Sequence, residues 1–397
     1  MDKQIAKIPM ALQLCLDDVA WHDGRDLRAI GQASRSGLPR MHSPLDYKVI
    51  DELGKSLNMK ILCPLCLGDW DKDNLLRGEV GITHDPYGWD RASELDYDYA
   101  NACFEALNGA EYLEFAYHGL IHGRYAEDGS LITQTEYFHM EKDKDGKRRC
   151  IPDGSDMKRR LDIFDKIYDS WGFSQKIRAF VAPCGLVGTL PEELLSEVVP
   201  NLTSRGVKYW ANGGVPSERG MILFGDVICM KKGGSMNGKL IPWNAYDLDP
   251  KYIDHYSSDV NGKIVSGVMG MHWTNFLRFN PENNLERIPD WVAYFEGEAE
   301  TLGIMLSRDI AFSSNQMLYN EYATVECDEN GNTVTIDTAA ITPIAPTWYE
   351  RTFYISIVNE KTPASVDGGE IELYETKNDF KNYKITHTSD KVVIKLK

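Results

Sequence analysis

The first three quarters of the chain alternate short apolar runs with longer amphipathic stretches. The apolar runs lack the in–out alternation of an exposed sheet, so they are predicted to be strands that are buried on both faces. They lie at residues 11–16, 59–67, 112–117, 177–183, 207–211, 221–230 and 264–271. The amphipathic stretches are predicted to be helices and lie at 44–57, 93–107, 155–171, 191–198 and 288–302. This order predicts an α/β fold, either a (β/α) barrel or a doubly wound sheet.

The pattern changes near residue 305. Beyond it, β-branched residues alternate with polar ones, and Asp-Glu-Asn-Gly-Asn at 328–332 is typical of a hairpin turn. A chain of 397 residues has room for two domains. We therefore predict a catalytic α/β domain at 1–305 and an accessory antiparallel β-sandwich at 306–397.

Acidic residues outnumber basic ones by 60 to 43, which gives a net charge of −17. Such a charge disfavours binding to nucleic acid or to an anionic membrane. It also disfavours a strongly acidic polymer as substrate, unless a local basic groove overrules the net charge. No apolar run approaches the ~20 residues of a membrane helix, and residues 1–16 lack the pattern of a signal peptide. We therefore expect a cytoplasmic protein, with a secreted protein whose leader has been removed as the alternative. The sequence does not indicate the oligomeric state.

Two adjacent carboxylates, Asp17 and Asp18, end the first predicted strand. Neighbouring side chains at a strand end point in different directions, so one acid can bind a cation while the other handles a proton. A helix cap or a solvated turn is the alternative, and it is favoured for the pair taken alone.

Two histidines follow the third predicted strand, in the segment His118-Gly119-Leu120-Ile121-His122. On a helical turn, side chains at i and i+4 share a face. Two imidazoles so placed can bind one zinc ion, with a carboxylate as third ligand and water in the open position. A pair of core histidines satisfied by hydrogen bonds is the alternative.

A further histidine, His272, ends the last predicted strand of the α/β part. Because the unperturbed pKa of histidine is near ~6.5, this residue is a candidate general acid. A packed histidine beside Trp273 is the alternative, and it is favoured for the residue taken alone.

Together and in this order, the three segments resemble the motifs of the polysaccharide deacetylase superfamily, the metal-dependent carbohydrate esterases with the nodulation-protein-B homology fold. The resemblance spans residues 8–305 and is nearest to a divergent branch with Asp-Asp-Val and His-Gly-x-x-His motifs. It implies a distorted (β/α) barrel that binds one divalent metal. The implied metal ligands are Asp18, His118 and His122, with Asp17 as catalytic base and His272 as catalytic acid. Zinc is the expected metal, and cobalt, nickel, iron or manganese fit the same ligands.

The resemblance implies hydrolytic removal of an acetyl group, N-linked or O-linked, from a carbohydrate substrate. One alternative is an amidase or esterase that acts on a non-sugar acyl group. The other is a carbohydrate-binding protein that has kept the fold and lost turnover.

The segment 180–185 resembles the family motif that lines the substrate groove. The chain departs from the family pattern at two positions, one in this segment and one beside the first metal histidine. The family commonly has an arginine that orients the base where Val181 stands, and Arg178, Arg25 or Arg40 can supply that group from elsewhere. The Ser or Thr that often follows the first metal histidine is Gly119 here.

Side chains near the predicted strand ends are candidates for the substrate groove, because aromatic faces stack on sugar rings. For each aromatic residue, a position in the core or at the rim is the favoured alternative. The groove candidates are Trp21, Arg25, Arg124, Pro183, Cys184, Trp210 and Trp273.

Overall fold

The structure, a computed structural model, describes residues 5–186, 188–213, 219–233, 245–253 and 266–397, and the backbone of four short strands at 235–236, 239–240, 259–260 and 263–264. Its centre is a large sheet. The strands of this sheet are β1 (Ala11–Asp17), β2 (Ile61–Cys66), β3 (Leu113–Gly119), β4 (Ala179–Val181), β5 (Tyr209–Ala211), β6 (Met221–Phe224), β7 (Val227–Met230), β8 (Lys232–Gly233), β9 (Val268–His272) and β10 (Met305–Leu306).

The sheet is parallel at every pairing except that of β6 with β7. Its order is β6-β7-β5-β4-β3-β2-β1-β9-β8, and β10 also pairs with β1. Only Lys231 separates β7 from β8, yet these two strands pair at opposite ends of this path. The sheet must therefore curl round, which confirms the predicted α/β class with a curled, mainly parallel sheet.

The predicted strand at 221–230 is wrong in one respect, because it is a hairpin of two antiparallel strands. Gly225 lies between β6 and β7 with φ of 57°, a left-handed conformation that glycine adopts without steric cost. The predicted strand at 264–271 is shorter in the structure, at Val268–His272, and residue 265 lies outside the described residues.

Helices pack around the sheet at most of the predicted positions. The predicted helix at 93–107 is two helices in the structure, because Leu95 is extended between them. None of the helices in the described part of the chain has the length and apolar character that a membrane crossing requires. The longer helices are α1 (Pro44–Leu57), α2 (Tyr97–Asn108), α3 (Gly154–Trp171), α4 (Ile288–Leu302) and α5 (Ile310–Tyr322). The shorter ones are Arg91–Glu94, Pro191–Glu193, Leu194–Val198 and Val199–Thr203, with 3₁₀ turns at Arg28–Ile30, Gly68–Trp70, Pro250–Tyr252, Trp273–Phe276 and Pro281–Arg287.

Helix α1 shows why these segments are helical. At its start the backbone N–H of Ser43 donates to the Asp46 carboxylate at 2.8 Å, and Pro44 occupies the first turn. Asn58 ends the helix in a left-handed conformation. Its buried residues recur at helical spacing, which attaches one face to the sheet. They include Tyr47, Ile50, Leu53 and Leu57.

The C-terminal part forms two four-stranded antiparallel sheets, which confirms the antiparallel character predicted for it. Their strands are β11 (Thr324–Cys327), β12 (Thr333–Asp337), β13 (Thr352–Val358), β14 (Pro363–Asp367), β15 (Gly369–Thr376), β16 (Phe380–His387) and β17 (Lys391–Leu396). The first sheet has the order Ala6–Lys7, β13, β16, β15, and the second has the order β11, β12, β17, β14. That the two sheets form a sandwich stays a prediction.

The two parts of the chain are joined through β10 and α5. Strand β10 pairs with β1 of the large sheet. In α5, the Gln316 side-chain amide donates hydrogen bonds to the carbonyl oxygens of Pro9 (2.7 Å) and Tyr354 (2.9 Å). The predicted boundary at residue 305 therefore lies within a region of continuous packing, and the two-domain division stays a prediction.

Candidate metal centre

Five polar side chains from the sequence motifs meet at the carboxyl edge of the large sheet. Asp17 ends β1, Asp18 follows it, His118 lies near the end of β3, His122 lies in the next turn and His272 ends β9. Asp17 and His272 are opposite each other in the ladder between β1 and β9. Because parallel strands end at the same edge, segments far apart in the sequence come together there.

Asp18, His118 and His122 form a buried cluster with the spacing of a metal site. The Oδ1 atom of Asp18 is 3.5 Å from Nε2 of His118 and 3.6 Å from Nε2 of His122. The three candidate ligand atoms all lie within 4.8 Å of one another. This donor set, one carboxylate and two imidazoles, is one that zinc prefers.

The hydrogen bonding around His118 supports a cation in this cluster. Its Nδ1–H donates to the carbonyl oxygen of Val181 at 2.7 Å, so in the neutral ring the Nε2 lone pair faces Asp18. Neither His118 Nε2 nor Asp18 Oδ1 has a hydrogen-bond partner, although both atoms are buried. A cation between them satisfies both atoms, so these residues fit a divalent metal.

The carboxylates and imidazoles of the site shift each other's pKa toward the charged forms. Burial raises the pKa of Asp18, but the imidazoles of His122, His118 and His272 outweigh it and lower the pKa to about 2. Burial lowers the pKa of His118, and the carboxylates of Asp18 and Asp17 outweigh it, so the pKa is raised. A bound metal therefore displaces a proton that these carboxylates favour.

The two histidines do not share a helical turn, contrary to the prediction. His118 belongs to β3, and His122 lies in a turn with φ of 54°. The chain turns back sharply and places the two ring centroids 5.2 Å apart.

A buried carboxylate, Glu136, holds this turn. It accepts hydrogen bonds from the backbone N–H groups of Leu120 and His122, both at 2.8 Å. Arg160, which is also fully buried, lies 3.7 Å from Glu136. A Cβ atom on Gly119 would lie only 2.2 Å from Glu136 Oε2. The glycine that departs from the family pattern therefore makes room for this carboxylate.

We expect Gly119→Ala to weaken metal binding by about 10- to 100-fold, the usual cost of disturbing the groups that hold metal ligands in place. The new methyl group must displace Glu136 or shift the turn that carries His122. Titration calorimetry with zinc measures the effect. Gly297→Ala is the matched control, because its Cβ would meet nothing within 4 Å and it lies inside α4. Equal affinities in the two variants would contradict the role given to Glu136.

Lys232 is the partner of the candidate base. Its Nζ donates a hydrogen bond to Oδ2 of Asp17, and both side chains are largely buried. The lysine side chain passes over Gly270, where a Cβ atom would lie 2.5 Å from its Cε. Burial raises the pKa of Asp17, but Lys232, His118 and His272 outweigh it and lower the pKa.

None of the three arginines considered for this role contacts Asp17. Each has its own carboxylate partner: Arg25 pairs with Asp23, Arg40 with Asp46 and Arg178 with Glu114. The cation beside Asp17 is instead Lys232, on strand β8, which is separated from β1 by β9 alone.

The variant Lys232→Met is expected to lower the free energy of unfolding of the metal-free protein by about 3–5 kcal/mol, because the buried carboxylate of Asp17 loses its counter-charge. Denaturant unfolding measures the change. Lys251→Met is the control, since the Lys251 side chain is 64% exposed and its partner Asp249 also pairs with Arg287. We expect a change of less than about 0.5 kcal/mol there. A similarly small change in Lys232→Met would contradict this pairing.

The cluster opens into a cavity of about 450 Å³. Four of its lining residues have a left-handed backbone although none is glycine, namely Asp18, His122, Cys184 and Asn212. Such conformations are costly and concentrate at functional sites. Among the described residues, the lining comprises Asp17, Asp18, Arg28, Ser34, His118, His122, Gln134, Cys184, Gly185, Asn212, Lys232 and His272.

Of the predicted groove residues, Cys184 lines this cavity and the others lie elsewhere. Three tryptophans are core residues: Trp21 lies under Arg35, Trp210 is fully buried and Trp273 stacks on His42. Arg25 is exposed and forms an ion pair with Asp23, whereas Arg124 is buried and forms an ion pair with Asp156. Pro183 is also buried. Position at a strand end therefore predicted the residues that line the cavity better than aromatic character did.

Several cavity residues are absent from the sequence prediction. Asn212 directly follows one predicted strand and Lys232 lies two residues beyond another, and these positions could have identified both. Arg28, Ser34 and Gln134 lie in segments outside the predicted strands and helices, where no local pattern marks them.

Comparisons with known proteins give only distant likenesses. No family model matches the chain, and no curated protein matches it. A family 4 carbohydrate esterase from Streptomyces lividans, solved in complex with acetate, is 12% identical over 75% of this chain and 92% of that chain, with a TM-score of 0.32. A putative polysaccharide deacetylase from Mycobacterium smegmatis is 10% identical over 75% and 85%, with a TM-score of 0.35.

A third solved structure is a GH57-type branching enzyme from Pyrococcus horikoshii, 10% identical over 76% of this chain and 69% of that chain, with a TM-score of 0.37. At TM-scores and identities this low, none of the three likenesses supports a family or a function for this chain.

Proposed function

We propose that this chain is a metal-dependent carbohydrate deacetylase built on a distorted (β/α) barrel with an accessory C-terminal β-sandwich. The observation that carries the proposal is the buried Asp18, His118 and His122 cluster, flanked by Asp17 and His272 at the mouth of one cavity. A zinc site with one carboxylate, two imidazoles and an open side toward a cavity is the arrangement of catalytic rather than structural sites.

Asp18, His118 and His122 would hold the metal, with zinc as the expected ion. When bound, such an ion polarises an acetyl carbonyl and lowers the pKa of water. Asp17 is kept ionised by Lys232, so it can accept a proton from the attacking water. His272 lies across the ladder from Asp17, with 30% of its side chain exposed, and can deliver a proton to the leaving amine or alcohol.

A binding protein without turnover is the alternative, and Val181 favours it because the family has an arginine there that orients the base. Lys232 supplies a cation beside Asp17 and removes that support. A non-sugar acyl substrate remains the alternative within the hydrolase class.

The decisive experiment combines elemental analysis of the purified protein with acetate release from a panel of N- and O-acetylated sugars. About one zinc-like ion per chain, with acetate release that chelation abolishes, is the expected result. Bound metal without acetate release would favour another acyl substrate or a binding protein. Absence of metal after zinc is added back would overturn the proposal at its centre.

A further inference from the structure

A second cavity adjoins the metal centre. Its volume is about 560 Å³, and it shares Gln134 and Cys184 with the cavity around Asp18. One wall is the hairpin formed by Phe138–Lys142 and Arg148–Pro152. A substrate longer than one sugar unit, with its acetylated unit at the metal centre, can therefore extend over Cys184 into this space.

The face of the hairpin that lines this cavity carries two cations. Residues directly opposite in an antiparallel ladder share a face, and every second pair lies on the same side. Met140 is opposite Cys150, and two residues further along Lys142 is opposite Arg148. All four line the cavity, so the sulfur-containing pair and the cationic pair form one continuous wall.

The pairing of Lys142 with Arg148 is unfavourable as it stands, because like charges directly opposite in a ladder repel. Neither side chain forms an ion pair with another residue in the described part of the chain. Arg149, the next residue, does have a carboxylate partner in Glu193. Both side chains are exposed and line the cavity, so they are available to an anionic ligand even though the net charge of the chain is −17.

One acid, Glu141, also lines this cavity. Its cross-strand neighbour is Arg149 rather than Lys142 or Arg148. No ion pair joins Glu141 to Lys142 or Arg148 among the described residues, so the hairpin part of the lining, with two cations and one acid, keeps a net positive charge.

We propose that Lys142 and Arg148 bind an anionic group, a carboxylate or a phosphate, on a sugar unit next to the acetylated one. The substrate is then an acidic glycan, recognised locally although the protein as a whole is strongly acidic. This inference rests on the proposed function, because it takes the acetylated unit to lie at the metal centre.

The test is calorimetric binding of three trisaccharides to the zinc-loaded full-length protein. The first is made of hexuronic acid units, the second is its carboxyl-reduced neutral form, and the third is the neutral form with 6-phosphate groups. None carries an acetyl group, so binding is measured without turnover. We expect at least one anionic form to bind about tenfold or more tightly than the neutral form, the scale of charge-assisted hydrogen bonds, and the better of the two identifies the anion.

The variant Lys142→Gln with Arg148→Gln is expected to abolish this preference. Lys144→Gln with Lys147→Gln is the matched control, since it makes the same charge change in the turn of the same hairpin, outside the cavity lining. Equal binding of the neutral form by the unaltered protein, or equal losses in the two double variants, would overturn the subsite. If charge-selective binding persists but no acetylated sugar releases acetate, the proposed function fails and the anion site stands.

Discussion

Replacing His118 by alanine is expected to lower zinc affinity by more than about 100-fold and to abolish acetate release. Loss of groups that merely hold a metal ligand in place costs 10- to 100-fold, and His118 is placed as a ligand itself. Its Nε2 faces Asp18, and its Nδ1 is anchored on Val181, so no neighbouring side chain can take its position without rebuilding the end of β3. Titration calorimetry and elemental analysis of the purified variant measure the effect.

The matched control for this variant is His139→Ala. His139 lies outside the cluster, with its side chain 47% exposed beside Asp153. We expect it to retain the zinc content and affinity of the unaltered protein. Full zinc occupancy in His118→Ala would show that the cluster of Asp18, His118 and His122 is not the metal site.

Asp17→Asn is expected to keep the metal and to lower the rate of acetate release by about 10²–10⁴-fold, the range attributed to a positioned general base. The amide keeps the size of the carboxylate and can still accept from Lys232, but it cannot take a proton from water. Steady-state rates at saturating substrate, together with the zinc content of the same sample, separate loss of chemistry from loss of metal.

Asp23→Asn is the control for this variant, because Asp23 belongs to an exposed pair with Arg25 and does not line the cavity. Its activity should equal that of the unaltered protein. If Asp17→Asn loses its zinc and Asp18→Asn retains it, the roles of the two neighbouring acids are reversed.

The motifs identified residues that meet at one edge of the large sheet, but they did not predict the local geometry there. The strand-end positions of Asp17, Asp18, His118 and His272 followed from apolar runs, because burial on both faces leaves a clear pattern in the sequence. The turn at His122 did not follow, since its conformation depends on Glu136, which is fourteen residues further along the chain and buried with it. An i, i+4 spacing is compatible with a helix but does not require one.

Lys232 shows a different limit of the sequence. Its position near a strand end is visible in the sequence, but its contact with Asp17 is not. That contact requires β8 to pair with β9, the neighbour of β1, although β8 follows β7 almost directly in the chain. No local pattern reveals such a long-range strand pairing. The three tryptophans proposed for the groove lie in the core instead. Sequence alone does not separate these two positions, because a large aromatic ring suits a sugar-binding surface and a packed core equally well.

Two strand pairings join segments that are far apart in the sequence. Ala6 and Lys7 form the edge of the sheet that contains β13, and β10 pairs with β1. During synthesis, neither pairing can form before its later strand, at 305–306 or 352–358, has been made. Closing such long loops is slow, so the nascent chain exposes unpaired strand edges until then. Because exposed strand edges promote aggregation, we expect the folding of this chain to depend on chaperones during synthesis.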